Sequence, residues 1–289
     1  MKLKISSVHV ENVTSDCGIE DLNIKNQFAV CVKDIRGNIK YALLGDSKAH
    51  SLYPGLIKTS DESGRWLFIG GTSKSGAPVP LLPVNVSSPP QFPLAVIAVN
   101  TIAENNDIKT VVIATSIRGI FAMGDGLLEA GNMNSYDHTY LKRLASTSNY
   151  QAAFDGLSAT ISKFESAGKR VVLVVDNPAL PSPQDCLPRV SSASWINYFL
   201  GNKQNKNCVI SLEVFKKEID IYMKLLSNLQ AKYPKTVEIY DPTPIYCEED
   251  LGICQALKNG KPLYSYTDHI SDYAADLVGQ NLNHFLNKN

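Results

Sequence analysis

Five short runs of the chain are apolar almost without interruption: 40–44 (Lys-Tyr-Ala-Leu-Leu), 66–69 (Trp-Leu-Phe-Ile), 110–114 (Thr-Val-Val-Ile-Ala), 170–175 (Arg-Val-Val-Leu-Val-Val) and 236–240 (Thr-Val-Glu-Ile-Tyr). Runs of this length without alternation predict strands buried on both faces. Helical patterns fall between and after them, at about 93–105, 148–167, 211–232 and 271–287. In the last of these, Tyr273, Ala274, Leu277, Val278, Leu282 and Phe285 recur at spacings of three and four, which gives one apolar stripe. Ser271 reads as its N-cap, with Asp272 in the first turn. Strands alternating with helices predict an α/β domain with a parallel sheet covered on both faces, here from residue 39 to 289. Residues 1–38 are polar, with only Phe28–Val32 strand-like, and read as an N-terminal extension packed on that core.

Three stretches fit no element: 71–91, rich in Gly, Ser and Pro; 119–147, with four glycines up to Gly131; and the Pro-rich 177–207. Long loops in such a domain tend to carry function, and an open parallel sheet binds its ligands at the carboxyl ends of the strands. Ser47, Gly70-Gly71, Thr115-Ser116 and Asn177 directly follow strands and are expected on that one rim, with His269 able to face it.

Composition narrows the classes. The 289 residues are 44% hydrophobic and 19% charged, enough to bury a sizeable core, and the formal net charge is zero. With no basic stripe, bulk electrostatic binding to nucleic acid or a membrane surface is excluded. No apolar run approaches the roughly 20 residues that span a bilayer. No P-loop or dinucleotide fingerprint is present, and no metal or nucleotide cofactor is indicated.

Six cysteines stand at 17, 31, 186, 208, 247 and 254, as three sequence-local pairs with neither C-x-x-C nor zinc spacing. They are either unrelated thiols or a disulfide framework. Cys17–Cys31, Cys186–Cys208 and Cys247–Cys254 is then the simplest of fifteen connectivities. Bridges would imply an oxidising compartment. Met-Lys-Leu-Lys-Ile-Ser at the start lacks an apolar region behind its charge, so an exported domain of this kind is expected to be a fragment.

The candidate chemistry begins at Leu44-Gly45-Asp46-Ser47, where a strand runs into a helix. A hydroxyl there lies beside backbone N–H groups that favour negative charge. It needs a base to become a nucleophile, and His269, just before the last helix, is the candidate. His50 rivals it by proximity but shares a helix with Ser47; His138, after Asp137, is the other rival. Asp46 is expected only to brace its turn, and Arg118 to be a solvated charge at a strand end.

Leu-Leu-Gly-Asp-Ser-Lys-Ala followed by Pro54 resembles the first block of SGNH hydrolases, and within them the group fused to integral-membrane acyltransferase-3 proteins, which usually read Gly-Asp-Ser-His-Ala. Arg65–Gly71 is similar to the second block, Tyr264–Ser271 to the last, and Val171–Pro178 and Tyr240-Asp241-Pro242, with the cysteines that follow them, also fit; the resemblance covers about residues 15 to 286. It implies a three-layer α/β/α flavodoxin-like fold with Ser47 as nucleophile, His269 as base and an oxyanion held by the Ser47 and Gly71 (or Gly70) amides. It further implies an O-acetyltransferase domain of an inner-membrane protein, exposed to the periplasm or another extracytoplasmic space. The acceptor would be a surface glycan such as lipopolysaccharide O-antigen, and the acetyl group would come from a membrane domain of the same polypeptide. Two positions depart. The family's acid commonly stands three residues before the histidine, where this chain has Tyr266, so Asp268 becomes the candidate, awkwardly, since adjacent side chains diverge; a dyad with His269 oriented by a backbone carbonyl or water is the alternative, and Asp241 a weaker substitute. The Gly-x-Asn of classical members is also missing from 111–118. A carbohydrate acetylesterase and an inactive glycan-binding domain are the alternatives.

Overall fold

The computed structural model of the chain describes residues 12–71, 80–83, 92–121, 147–180, 183–186 and 208–288. Numbered along the chain, the strands β1 (Val13–Thr14), β2 (Val30–Asp34), β3 (Ile39–Gly45), β4 (Arg65–Gly70), β5 (Thr110–Ala114), β6 (Arg170–Val174), β7 (Val209–Ser211) and β8 (Val237–Tyr240) are joined by α1 (Leu22–Lys25), α2 (Ser47–Thr59), α3 (Phe92–Glu104), α4 (Ile117–Phe121), α5 (Thr147–Ser166) and α6 (Leu212–Lys232). After β8 come α7 (Thr243–Tyr246), the short strands β9 (Cys247–Glu248), β10 (Ile253–Gln255), β11 (Leu257–Lys258), β12 (Lys261–Pro262), β13 (Tyr264–Tyr266) and β14 (His269–Ile270), and finally α8 (Asp272–Lys288).

The central sheet has the order β1-β2-β4-β3-β5-β6-β8. Its five strands from β4 to β8 are parallel, in the spatial order 2-1-3-4-5 of flavodoxin-like folds. The expectation of a parallel sheet needs one correction: β2 pairs antiparallel with β4, and β1 with β2. Both come from the described part of the N-terminal extension, which therefore completes the sheet edge as well as packing on it. Of the two, the strand-like Phe28–Val32 run marks β2, while β1 is two residues long and no apolar run announces it.

Ala42, Leu44, Ile69, Val111, Val112, Val171 and Val172 are fully buried in the sheet, as strands covered by helices on both faces must be. The helices α3, α5 and α6 pack in succession on one another, while α2 and α8 pack together as a separate layer. The α2–α8 crossing is a backbone contact. A Cβ on Gly55 would lie 2.0 Å from the Ala275 carbonyl oxygen, and one on Gly279 would lie 2.5 Å from the Gly55 carbonyl. The apolar stripe of α8 is accordingly rotated from the expected one. Gly279 and Asn283 are buried, whereas Tyr273, Leu277 and Phe285 are only partly covered. Asn283 earns its place in hydrogen bonds, accepting from Trp66 Nε1 at 2.9 Å and donating to the Leu56 carbonyl at 3.1 Å and to Thr59 Oγ1 at 2.9 Å.

All six cysteines are paired, as Cys17–Cys31, Cys186–Cys208 and Cys247–Cys254. The first ties the chain before α1 to β2. The last joins residues directly opposite each other in the β10–β9 pair. Among the described residues no helix is long and apolar enough to cross a membrane. Gly124, Gly126, Gly131, Asp137 and His138 lie outside the described residues.

Candidate active site

At the end of β3 the chain turns into α2 through Gly45-Asp46-Ser47. The β3–β5 contact is so close here that a Cβ on Gly45 would fall 1.9 Å from the Ala114 carbonyl oxygen; only glycine fits. Asp46 is the N-cap of α2. Its Oδ1 accepts from the Lys48 amide at 2.9 Å and its Oδ2 from the Ser116 amide at 2.9 Å. It therefore braces its own turn, as expected, and also ties that turn to the loop after β5. Burial pushes its carboxyl above the usual range, opposed by those two amide hydrogen bonds. Ser47 opens the helix, where its N–H has no acceptor within α2.

His269 comes from the other end of the chain, on β14, which pairs with β13 (Tyr264↔Ile270, Tyr266↔His269) and packs against α2. The register of this pair is irregular between Tyr264 and Tyr266, and irregularities of this kind re-aim side chains. The expected divergence of Asp268 from His269 does not occur: Asp268 Oδ1 lies 2.8 Å from His269 Nδ1. A carboxylate on Nδ1 fixes the tautomer that leaves Nε2 free to accept a proton. Among the described residues Nε2 is buried and has no hydrogen-bond partner. Tyr266 stacks on the imidazole, with centroids 4.3 Å apart and planes inclined by 17°.

Lys48 was not among the residues the sequence singled out. Its side chain is 6% exposed, and its Nζ lies 2.8 Å from Asp176 Oδ1 and 3.6 Å from Asp268 Oδ2. It donates to the Asp268 carbonyl at 2.5 Å and to Asn177 Oδ1 at 3.3 Å. A buried ammonium without such partners would cost several kcal/mol. Asp176 in turn accepts from the Ile117 and Asn177 amides. Arg118 is also not the solvated charge expected, since its Nη2 lies 3.1 Å from Asp268 Oδ2. Nothing short of the tertiary contacts marks either cation: Lys48 and Arg118 read locally as ordinary surface charges near helix starts.

Ser47, Ser116, Asp176, Asn177 and His269 are thus gathered where β3, β5 and β6 end, at the switch point between β3 and β5. His50 packs against Tyr53 and Phe68, and burial, with the nearby His269, lowers its pKa. Asp241 accepts from the Thr243 amide at the start of α7 and does not pair with His269. The Gly71 amide, expected to face an oxyanion, donates to the Gly45 carbonyl at 3.0 Å; this is a ladder bond of the parallel β3–β4 pair, and it withdraws the donor from the site. A void of about 30 Å³ lined by Lys48, Thr115, Asp176 and Asn177 underlies the cluster, room for about one water. The larger cavity, about 580 Å³, lies at the far end of α2 by Thr59, Asp61, Gln280 and His284.

The family described as SGNH domain (fused to AT3 domains) matches residues 16–283. The chain belongs to that family. The SGNH match covers every residue of the cluster and most of the extension that completes the sheet. Among solved structures, the periplasmic domain of the lipopolysaccharide acetyltransferase of Salmonella ser. Paratyphi A aligns over 86% of this chain and 84% of its own, with 14% identity and a TM-score of 0.49. No curated protein matches the chain. In this SGNH domain the fold is the three-layer α/β/α arrangement that the strand and helix pattern implies, with the cysteines bridged.

Proposed function

We propose that the domain is a serine-dependent O-acyltransferase, transferring an acetyl group to a carbohydrate hydroxyl of a bacterial surface glycan such as lipopolysaccharide O-antigen. One observation carries the chemistry: the Asp268 carboxylate holds His269 Nδ1, and among the described residues His269 Nε2 has no partner, in a cluster tied to the residue after Ser47. In the forward step the Ser47 hydroxyl attacks the acyl carbonyl while Nε2 takes its proton. The Ser47 amide receives the developing oxyanion. The imidazolium, paired with Asp268, returns the proton to the leaving group, and the acyl group remains on Ser47. A sugar hydroxyl then attacks the acyl-serine and loses its proton to Nε2; the imidazolium passes that proton to the departing Ser47 oxygen, and the sugar leaves as the acetyl ester with Ser47 and His269 restored. The family's fusion to AT3 domains supports an acyl donor handed over by a membrane-embedded portion of the same polypeptide. The three disulfides support an extracytoplasmic site, read here as the periplasm. The choice of acetyl group and glycan acceptor rests on the motif resemblance.

The test compares the wild type with Ser47→Ala on p-nitrophenyl acetate, with and without purified O-antigen. We expect Ser47→Ala to lose at least about 10³-fold in turnover, an organophosphonate to label wild-type Ser47, and acetylated glycan to form. Free acetate alone would make the domain an esterase. A folded wild type that leaves the phosphonate unreacted would make it a binding domain and end the acyl-serine route.

A further inference from the structure

Asp268 is the turn residue directly before the first residue of β14, and adjacent side chains ordinarily diverge, so it needs an outside restraint to reach His269. Here the restraint is visible. The turn residue Thr267 accepts from the Leu180 amide at 2.8 Å. The Asp268 carbonyl takes Lys48 Nζ at 2.5 Å and Asn177 Nδ2 at 3.0 Å. Its carboxylate is 5% exposed and divided between partners: Oδ2 faces Arg118 at 3.1 Å and Lys48 at 3.6 Å, which leaves Oδ1 for His269 at 2.8 Å. Lys48 is anchored from behind by Asp176 at 2.8 Å. We propose that Lys48 and Arg118 form a two-cation clamp that turns Asp268 onto His269 and governs how readily that imidazole holds a proton. They are positioning residues, and the assignment rests on His269 being the base of the proposed reaction.

The groups around the imidazole come from every side. Lys48 and His50 face it from α2, Arg118 from α4, Tyr266 from β13 and Asp268 from the turn, with Asp176 and Asp46 behind Lys48. His50 is disfavoured as a cation by its burial. Lys48 and Arg118 both bear on the one carboxylate that holds the ring, so each moderates how strongly Asp268 can support a proton at Nε2. Removing either cation leaves more negative charge around the ring, which must strengthen its hold on the proton.

The test reads the His269 imidazole directly by ¹⁵N-resolved NMR titration, alongside the pH dependence of kcat/KM on p-nitrophenyl acetate, for wild type, Lys48→Met, Lys48→Arg and Arg118→Met. Lys48→Met and Arg118→Met are each expected to move the His269 midpoint upward by about one pH unit. The acidic limb of the rate profile should follow, and kcat/KM at pH 7 should fall by up to about tenfold. Lys48→Arg should return the midpoint most of the way to wild type. A midpoint that does not move in the folded variants would overturn the clamp and reduce both cations to scaffolding. If Lys48→Met does not fold, Arg118→Met, which is closer to the surface, decides by the same criterion. Repeating the titration in a Ser47→Ala background separates the two proposals: a shift there upholds the clamp even if the wild type proves to have no turnover.

Discussion

Asp268 and His269 illustrate how little a residue's neighbours in sequence reveal about its chemistry. The pair meets because a register irregularity in the β13–β14 hairpin and four donors from α2, α4 and the segment after β6 hold the turn in one orientation. Arg118 and Lys48 look like solvated charges until the carboxylates they face are brought in from 128 to 220 residues away. A second charged side chain shows the reverse case, a carboxyl that burial works against. Glu218 on α6 is half-buried, and that burial raises its pKa from the ordinary 4.5 to about 6. The folded state therefore binds the proton more tightly than the unfolded one. Stability is complete below about pH 4.5, falls as the pH rises toward 6, and stays lower above it. Glu218→Gln removes that loss. It is expected to stabilise the domain at pH 8 by about 1 kcal/mol, allowing for the group's partial exposure, and to change nothing at pH 4. Thermal melts of both proteins at the two pH values check this, and an equal effect at both would contradict it.

At the scale of elements, the site depends on the crossing of α2 with α8. One helix begins at Ser47 and the other begins three residues after His269, so the distance between the two helices sets how the two ends of the chain meet. The crossing is closed by glycine backbone on both sides, at Gly55 and Gly279. Gly279→Ala would gain about 1 kcal/mol of intrinsic helix propensity and yet place a methyl group 2.5 Å from the Gly55 carbonyl. Because backbone cannot swing aside as a side chain can, the expected net result is a loss of about 1–3 kcal/mol. Urea denaturation measures it. A variant as stable as wild type would show that the helices slide apart without cost. The cap of α2 is equally a device of the tertiary structure: Asp46 satisfies its own helix with one oxygen and the loop after β5 with the other.

For the whole molecule, the notable feature is how the polar N-terminal segment is secured. It adds β1 and β2 antiparallel to a parallel sheet, and Cys17–Cys31 fastens the chain before α1 to β2. The segment buries Cys17, Ile19, Phe28, Val30 and Cys31 in the core, and the cross-link adds to the stability that this burial gives it. Replacing both cysteines by serine is expected to cost about 2–3 kcal/mol in the chain-entropy account. Hydrogen exchange should quicken in β1 and β2 while β5 and β6 keep their protection. Uniform loss of protection across the sheet would mean that the edge and the centre unfold as one unit.

The sequence by itself determined the layered α/β plan, because an uninterrupted apolar run is a statement about burial on both faces that needs no knowledge of the neighbours. It also determined that Ser47 would sit at the end of β3 and the start of α2, and the simplest pairing of its cysteines is the one the fold adopts. Only the tertiary structure decided that the sheet has an antiparallel edge, that the Gly71 amide is spent on the Gly45 carbonyl, and that Asp268 is clamped onto His269 by Lys48 and Arg118. The reason is physical. Periodicity and capping are interactions within a few residues and leave their mark in local order, whereas a buried charge is tolerated only by partners that folding carries in from distant parts of the chain.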